Sequence, residues 1–161
     1  MTTEIERRFV AVDPPPGELL GPGERMRQGY LTDDGPVTVR IRITDAASVL
    51  TIKAGSGLSR TEIEVPLSRA DAEELWPHTS GRRIEKTRHR VMLSDRDGGS
   101  VAEVDLYDGG LAGLCTVEVE FDSEADAAEF RPLDWFGREV TGDARWTNAA
   151  LARHGRPSDG G

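Results

Sequence analysis

Five short segments of this chain place an apolar residue between two like charges. They read Glu4-Ile5-Glu6, Arg40-Ile41-Arg42, Glu62-Ile63-Glu64, Glu103-Val104-Asp105 and Glu118-Val119-Glu120. Period-two alternation is a strand pattern, because side chains two apart share a face and neighbours point to opposite faces. Each segment therefore offers a charged pair to one side of a sheet and an apolar residue to the other. Like charges stacked on one face repel unless opposite charge lies between them. Acidic and basic pairs both occur, so an anion accompanied by metal cations is the simplest partner common to them all.

The rest of the sequence extends the pattern. Residues 4–10 read as a strand stopped by Pro14-Pro15-Pro16-Gly17, with at most a helical turn at Glu18-Leu19-Leu20. Strands are expected at 28–32, 37–43, 49–53 and 60–66, the last two joined as a hairpin through Gly55-Ser56-Gly57. A helix over 68–76 takes Ser68 as its N-cap, with Asp71 three residues on and Pro77 ending it. Strands at 84–93 and 101–107 flank a turn at Asp97-Gly98-Gly99, and another strand follows at 116–121. Helices are expected at 123–130, capped by Ser123, and at 144–154.

About eight antiparallel strands with few helices imply a predominantly β (α+β) fold, a barrel or strongly curved sheet. At 161 residues the chain fits one domain, expected over 1–157 with 158–161 as a flexible tail. A half-buried sheet ordinarily turns its charged face to water. Here the charged alternates recur on most strands, so a barrel that packs its apolar alternates beneath helices would line its own concavity with them. No run approaches the ~20 apolar residues of a membrane span. Met1-Thr2-Thr3-Glu4 has neither a basic leader nor an apolar stretch, so a cytoplasmic location is the default expectation. The net charge of -9 disfavours nonspecific attraction to nucleic acid. The single Cys115 excludes an internal disulfide and a thiolate cluster, and its apolar neighbours point to a buried thiol.

The repeated face collects the carboxylates Glu4, Glu6, Glu62, Glu64, Glu103, Asp105, Glu118 and Glu120. Its cations are Arg8, Arg40, Arg42, Lys53, Lys86 and Arg88, with Arg90 at the margin. Burying so many charges is costly unless they pair closely or bind ligands. Arginine offers a planar, often bidentate donor set to phosphate oxygens, and lysine a compact charge. Mg2+ and Mn2+ favour oxygen ligands and bridge carboxylates to phosphates. The chemistry this inventory suits is phosphoryl transfer to water. His78, His89 and His154 lack the spacing of a metal trio. Trp76, Trp135 and Trp146 are expected to cover the apolar exterior of the barrel, and Tyr30 and Tyr107 are given no place by the sequence.

With these residues in view, the sequence resembles the CYTH domain proteins, or triphosphate tunnel metalloenzymes. Glu4-Ile5-Glu6-Arg7-Arg8-Phe9 is similar to the family's ExExK signature except at its last position. The resemblance continues through Gln28-Gly29-Tyr30-Leu31, Leu50-Thr51-Ile52-Lys53, Ile84-Glu85-Lys86-Thr87-Arg88 and Val117-Glu118-Val119-Glu120. It closes on Trp135-Phe136-Gly137-Arg138-Glu139-Val140-Thr141 with Asp143, Arg145, Asn148 and Leu151. The resemblance implies an eight-stranded antiparallel barrel or tunnel with exterior helices. It also implies Mg2+- or Mn2+-dependent hydrolysis of a small triphosphorylated molecule, inorganic triphosphate first, by a monomer or homodimer without nucleic acid or membrane. By carry-over Glu4, Glu6 and Glu120 are metal ligands, with Glu62, Glu64, Glu103, Asp105 and Glu118 as further candidates. Arg8, Arg40, Arg42, Lys53, Lys86 and Arg88 become phosphate contacts, and Glu4, Glu6, Arg8 and Lys53 the catalytic set. Some members are adenylate cyclases, but no segment here identifies an adenine pocket. Arg8 replaces the usual lysine and cannot act as a base. That departure keeps a non-catalytic binding module for triphosphorylated ligands as an alternative.

Overall fold

The computed structural model describes residues 2–32, 35–56, 58–93 and 100–158. The turn expected at Asp97-Gly98-Gly99, Gly57 of the earlier turn, and residues 159–161 of the tail lie outside the described residues.

Eight strands alternate with loops and short helices: β1 (Thr2–Ala11), β2 (Gly23–Tyr30), β3 (Val37–Thr44), β4 (Ser48–Ala54), β5 (Ser59–Leu67), β6 (Arg83–Met92), β7 (Val101–Tyr107) and β8 (Cys115–Glu120). They hydrogen-bond in the order β5-β4-β3-β2-β6-β7-β8-β1, and β1 also pairs with β5, which closes the sheet into an antiparallel barrel. A ninth, two-residue strand β9 (Arg138–Glu139) pairs with Phe9 and Val10 of β1. It takes the side of β1 that β5 leaves after Ile5, so little of that edge stays open. Gly137, just before β9, has φ +77, and a Cβ there would sit 2.2 Å from the Val10 carbonyl oxygen. Only glycine suits both constraints.

Parity decides inside from outside. Phe9 and Ala11 of β1, Val91 of β6, Ala102 and Val104 of β7, and Val117 and Val119 of β8 point outward into one buried apolar cluster. Phe130 and Phe136, from the chain after helix α2 (Glu124–Glu129), cover it. Ile41 and Ile43 of β3 lie under Ala72, Leu75 and Trp76 at helix α1 (Arg69–Leu75). Both helices start on the expected serine caps. Ser68 Oγ accepts from the Asp71 amide at 3.0 Å, and Ser123 Oγ from the Asp126 amide at 3.1 Å. Cys115 belongs to the outer cluster, where burial pushes its thiol up to about 11.

The structure corrects three expectations. Strand β2 starts at Gly23 and ends at Tyr30 rather than spanning 28–32, because ladders to both β3 and β6 hold a segment of low β-propensity. The helix expected over 144–154 divides into a 3-10 turn (Ala144–Trp146) and helix α3 (Asn148–His154). Thr147 lies extended between them and caps the second through the Ala150 amide. Trp146 is not on the exterior. It is buried with Val10, Ile84 and Tyr107, which share the inward parity of their strands, and with Leu114, Val140 and Leu151. The C-terminal segment thus fills one end of the barrel with hydrocarbon, and the charged positions occupy the remainder.

Candidate active site

The inward positions enclose a polar cavity of about 220 Å³. Strand β1 contributes Glu4, Glu6 and Arg8; β3 contributes Arg40 and Arg42; β4 contributes Lys53; β5 contributes Glu62 and Glu64. Arg88 of β6, Glu103 of β7, and Glu118 and Glu120 of β8 complete the expected residues found there. Arg90 also reaches it. The lining comprises seven carboxylates and seven basic side chains, with only Tyr30, Thr38, Asn148 and Ala149 besides. Register explains how they meet: Glu6 faces Glu120 and Arg8 faces Glu118 across β1 and β8, and Lys53 faces Glu62 across β4 and β5.

Lys86 and Asp105 are placed differently. Both are fully buried and lie outside the cavity lining. Lys86 Nζ donates to Asp105 Oδ2 at 2.6 Å, and Arg88 grips the same carboxylate through Nε and Nη2 at 2.7 and 2.8 Å. Burial would raise the Asp105 carboxyl, but Arg88 and Lys86 hold it well below the usual carboxylate range. Arg88 carries its remaining nitrogen to Glu103 at 3.0 Å. It links the buried triad to the cavity.

Arg8 is held by three partners: Glu118, the Tyr107 hydroxyl at 3.1 Å, and Asn148 Oδ1 at 3.2 Å. Its charge is firmly retained, since Glu118 and other acidic neighbours overcome the effect of burial. A planar guanidinium reaches all three at once, whereas one ammonium does so poorly. Replacing Arg8 by lysine should keep the pairing with Glu118 but take the arginine donor from the Tyr107 hydroxyl and leave Asn148 Oδ1 with Tyr107 as its donor. The expected cost is ~1–3 kcal/mol, read as a fall in melting temperature of several degrees by calorimetry. An unchanged melting temperature would mean that the three-way contact is not structural.

The lining is electrostatically divided. On one side burial and the cations of Arg40 and Arg88 lower the Arg42 guanidinium from its ordinary value. Arg42 has one contact of 3.4 Å with Glu64, and Arg40 one of 3.2 Å with Thr51, its Nε buried without a hydrogen-bond partner. On the other side burial, then Glu118, push the Glu6 carboxyl up to about 8. Burial, then Glu4 and Glu62, raise Glu120 as well. One wall is therefore short of negative charge and the other short of positive charge.

Among the described residues no three His, Cys, Asp or Glu side chains form a ready-made metal cage. Lys53 and Arg60 explain this. Lys53 Nζ bridges Glu4 at 2.9 Å and Glu62 at 3.2 Å, and Arg60 Nη2 bridges Glu4 at 3.5 Å and Glu6 at 3.2 Å. The donor chemistry nonetheless suits a hard divalent cation. Glu4 Oε2 is buried without a hydrogen-bond partner, and the crowded Glu6 and Glu120 supply further oxygens.

Some lining residues lay outside the expected set. Arg60 shares the inward parity of Glu62 and Glu64 on β5, so the alternation itself contained the signal. Thr38 precedes Arg40 by two on β3 in the same way. Asn148 and Ala149 arrive from helix α3, which no strand pattern reveals. Beside the cavity lies a chamber of about 560 Å³ that shares Glu6, Arg8, Thr38, Lys53 and Arg60 with it. Its other walls are mostly uncharged, including Pro36, Val140, Ala144 and Ala150. Among the described residues no helix is long and apolar enough to cross a membrane.

Comparison with known proteins agrees with this geometry. The chain is 45% identical over 151 residues to an inorganic triphosphatase of Nitrosomonas europaea, covering 93% of this chain and 97% of that protein. It is 35% identical over 156 residues to an inorganic triphosphatase of Acetivibrio thermocellus, covering 96% of each. A crystal structure of an inorganic triphosphatase superposes with a TM-score of 0.70 at 41% identity, covering 98% of this chain and 99% of the other. The CYTH domain is matched over residues 3–141, and the chain belongs to the CYTH domain, or triphosphate tunnel metalloenzyme, family.

Proposed function

We propose that this protein hydrolyses inorganic triphosphate with the help of Mg2+ or Mn2+, releasing orthophosphate. The observation that carries the proposal is the divided cavity, with its loosely held wall cations Arg40 and Arg42 and its crowded carboxylates led by Glu6. A polyphosphate beside a divalent cation satisfies both walls at once. The relatives named inorganic triphosphatase, aligned over nearly their whole length, support the same substrate.

Arg40 and Arg42 have donors to spare and bind phosphate oxygens, while Lys53 adds a compact charge near the carboxylates. Glu4, Glu6 and Glu120 would hold the cation, with Glu62, Glu64, Glu103 and Glu118 nearby. Once bound, it supplies Lewis-acid polarisation of a phosphoryl oxygen and charge neutralisation in the transition state. Arg8 acts as a charged frame for Glu118, because its guanidinium does not release a proton to serve as a base. The same reading describes a cytoplasmic monomer or homodimer whose partner is a small triphosphorylated molecule.

Purified protein given triphosphate and Mg2+ or Mn2+ is expected to release orthophosphate, and excess chelator is expected to abolish turnover. Full activity with chelator present would exclude the cation from the mechanism. Binding without product would instead support the non-catalytic module. The adjoining chamber gives one specific reason to test ATP too, since it could house an organic substituent. Cyclic AMP with pyrophosphate would reveal cyclase chemistry, and orthophosphate would reveal hydrolysis.

A further inference from the structure

Arg60 stands where the cation of the proposed reaction would be held. One nitrogen, Nη2, is divided between Glu6 at 3.2 Å and Glu4 at 3.5 Å. No fork is formed. Arg88 by contrast grips Asp105 with two nitrogens at 2.7 and 2.8 Å in full burial. The Arg60 side chain keeps 18% of its surface exposed, whereas Glu4 beneath it keeps 9%. Glu4 Oε2 is buried and lacks a hydrogen bond despite this neighbour. Arg60 therefore contacts both carboxyl groups but hydrogen-bonds only Glu6. Its position between the cavity and the adjoining chamber gives its guanidinium room to move off them.

We infer that Arg60 is a placeholder cation: it occupies the Glu4–Glu6 pair in the empty barrel and transfers to phosphate oxygens when triphosphate enters. This inference rests on the metal-dependent reading above and deepens it. An arginine and a divalent cation cannot sit against the same two carboxyl groups together without repulsion, so the empty protein disfavours the cation. An incoming polyphosphate offers Arg60 oxygens of higher charge density, which frees Glu6 and leaves Glu4 with its Lys53 contact alone. Anion and cation then strengthen each other's binding, as linkage requires. The device also explains why these carboxylates can remain together in a buried strand face before substrate arrives. Under this scheme Arg60 is a substrate contact that also controls access to the carboxylates that would hold the cation.

The test uses Mn2+ and imidotriphosphate, a triphosphate analogue whose bridging nitrogens resist hydrolysis. Mn2+ affinity is measured by electron paramagnetic resonance with and without the analogue, after correction for Mn2+ bound to free analogue. Wild-type protein is expected to bind Mn2+ about tenfold more tightly when the analogue is present, within the usual range for coupled sites. The Arg60→Gln variant is expected to bind Mn2+ about tenfold more tightly than wild type without analogue, and most of the coupling should disappear. Arg60→Lys, which restores the charge, should return both values toward wild type, and calorimetry checks that each variant folds. If Arg60→Gln leaves Mn2+ affinity in the empty protein unchanged or weaker, the placeholder role is wrong while the metal-dependent reading stands. If wild type binds no Mn2+ even with the analogue, the metal-dependent reading fails and the placeholder role falls with it.

Discussion

Replacing Glu6 by glutamine is expected to move activity and stability in opposite directions. Glutamine keeps the shape and removes the charge. Turnover of triphosphate should fall by a factor on the order of 10²–10³, the usual effect of deleting a group that stabilises developing charge. The metal-free fold should gain, since burial and Glu118 make an ionised Glu6 unfavourable and push its carboxyl up to about 8. The sign of the pH dependence follows. Between the ordinary value of 4.5 and about 8 the folded protein holds a proton on Glu6 that the unfolded chain has lost. The contribution of Glu6 to stability therefore falls as pH rises through that window. Glu118 acts in the opposite sense at lower pH. Burial would raise it, but Arg8 and Arg88 hold it to about 2, so its contribution is present above 4.5 and is lost as pH falls toward 2. Melting curves in chelator from pH 4.5 to 8.5 should show Glu6→Gln drawing ahead of wild type, by a few degrees at the upper end. A shift of that size corresponds to about 1 kcal/mol in a domain of this length. A gap that stays constant across the window would show that Glu6 is not a crowded, desolvated carboxylate.

The barrel was legible because one rule recurs on most of the long strands, β2 excepted. Glu4, Glu6 and Arg8 turn inward while Phe9 and Ala11 turn outward, and the same parity separates Arg40 and Arg42 from Ile41 and Ile43. Period two reports the face of a sheet whatever lies across the next ladder. It fails where tertiary pairing makes the strand. Arg138 and Glu139 carry no period at all and become β9 because β1 has a side unpaired beyond Ile5. The first residues of β2 are likewise strand only through their neighbours on both sides. The break at Thr147 reflects a side chain that caps a helix better than it continues one, a choice local enough to have been read.

For the candidate site, parity identified the side but not the depth. Lys86 and Asp105 share the inward face with Arg88 and Glu103, yet they lie toward the end filled by Tyr107, Ile84 and Trp146. There the charges meet each other rather than the cavity. Depth along a tilted strand depends on barrel stagger, which a single sequence does not display. Arg60 was the reverse case, an inward residue whose parity with Glu62 and Glu64 was fully visible. Asn148 needed the fold, because it comes to Arg8 from a segment 140 residues away in the chain.

Asp105→Asn is expected to be the most destabilising single change in the interior. Lys86 has 1% of its surface exposed and Asp105 none, so the ammonium would lose its buried counter-charge and the Arg88 guanidinium would be left with Glu103 and Glu118. Breaking one partner of such a group costs ~3–5 kcal/mol, because an uncompensated charge remains in a poorly solvating place. In a chain of this length that corresponds to a melting temperature lower by about 10 °C. Removing the stranded ammonium as well, in Lys86→Met with Asp105→Asn, should recover part of the loss, since residues in direct contact do not contribute independently. A double variant no more stable than Asp105→Asn alone would mean that Arg88, not Lys86, carries the penalty. The same variant separates framework from ligand. At a temperature where Asp105→Asn remains folded, its Mn2+ affinity in the presence of imidotriphosphate should stay near that of wild type, whereas Glu6→Gln should lose it. A loss of Mn2+ affinity in Asp105→Asn as large as that in Glu6→Gln would move Asp105 from the frame of the site into its binding surface.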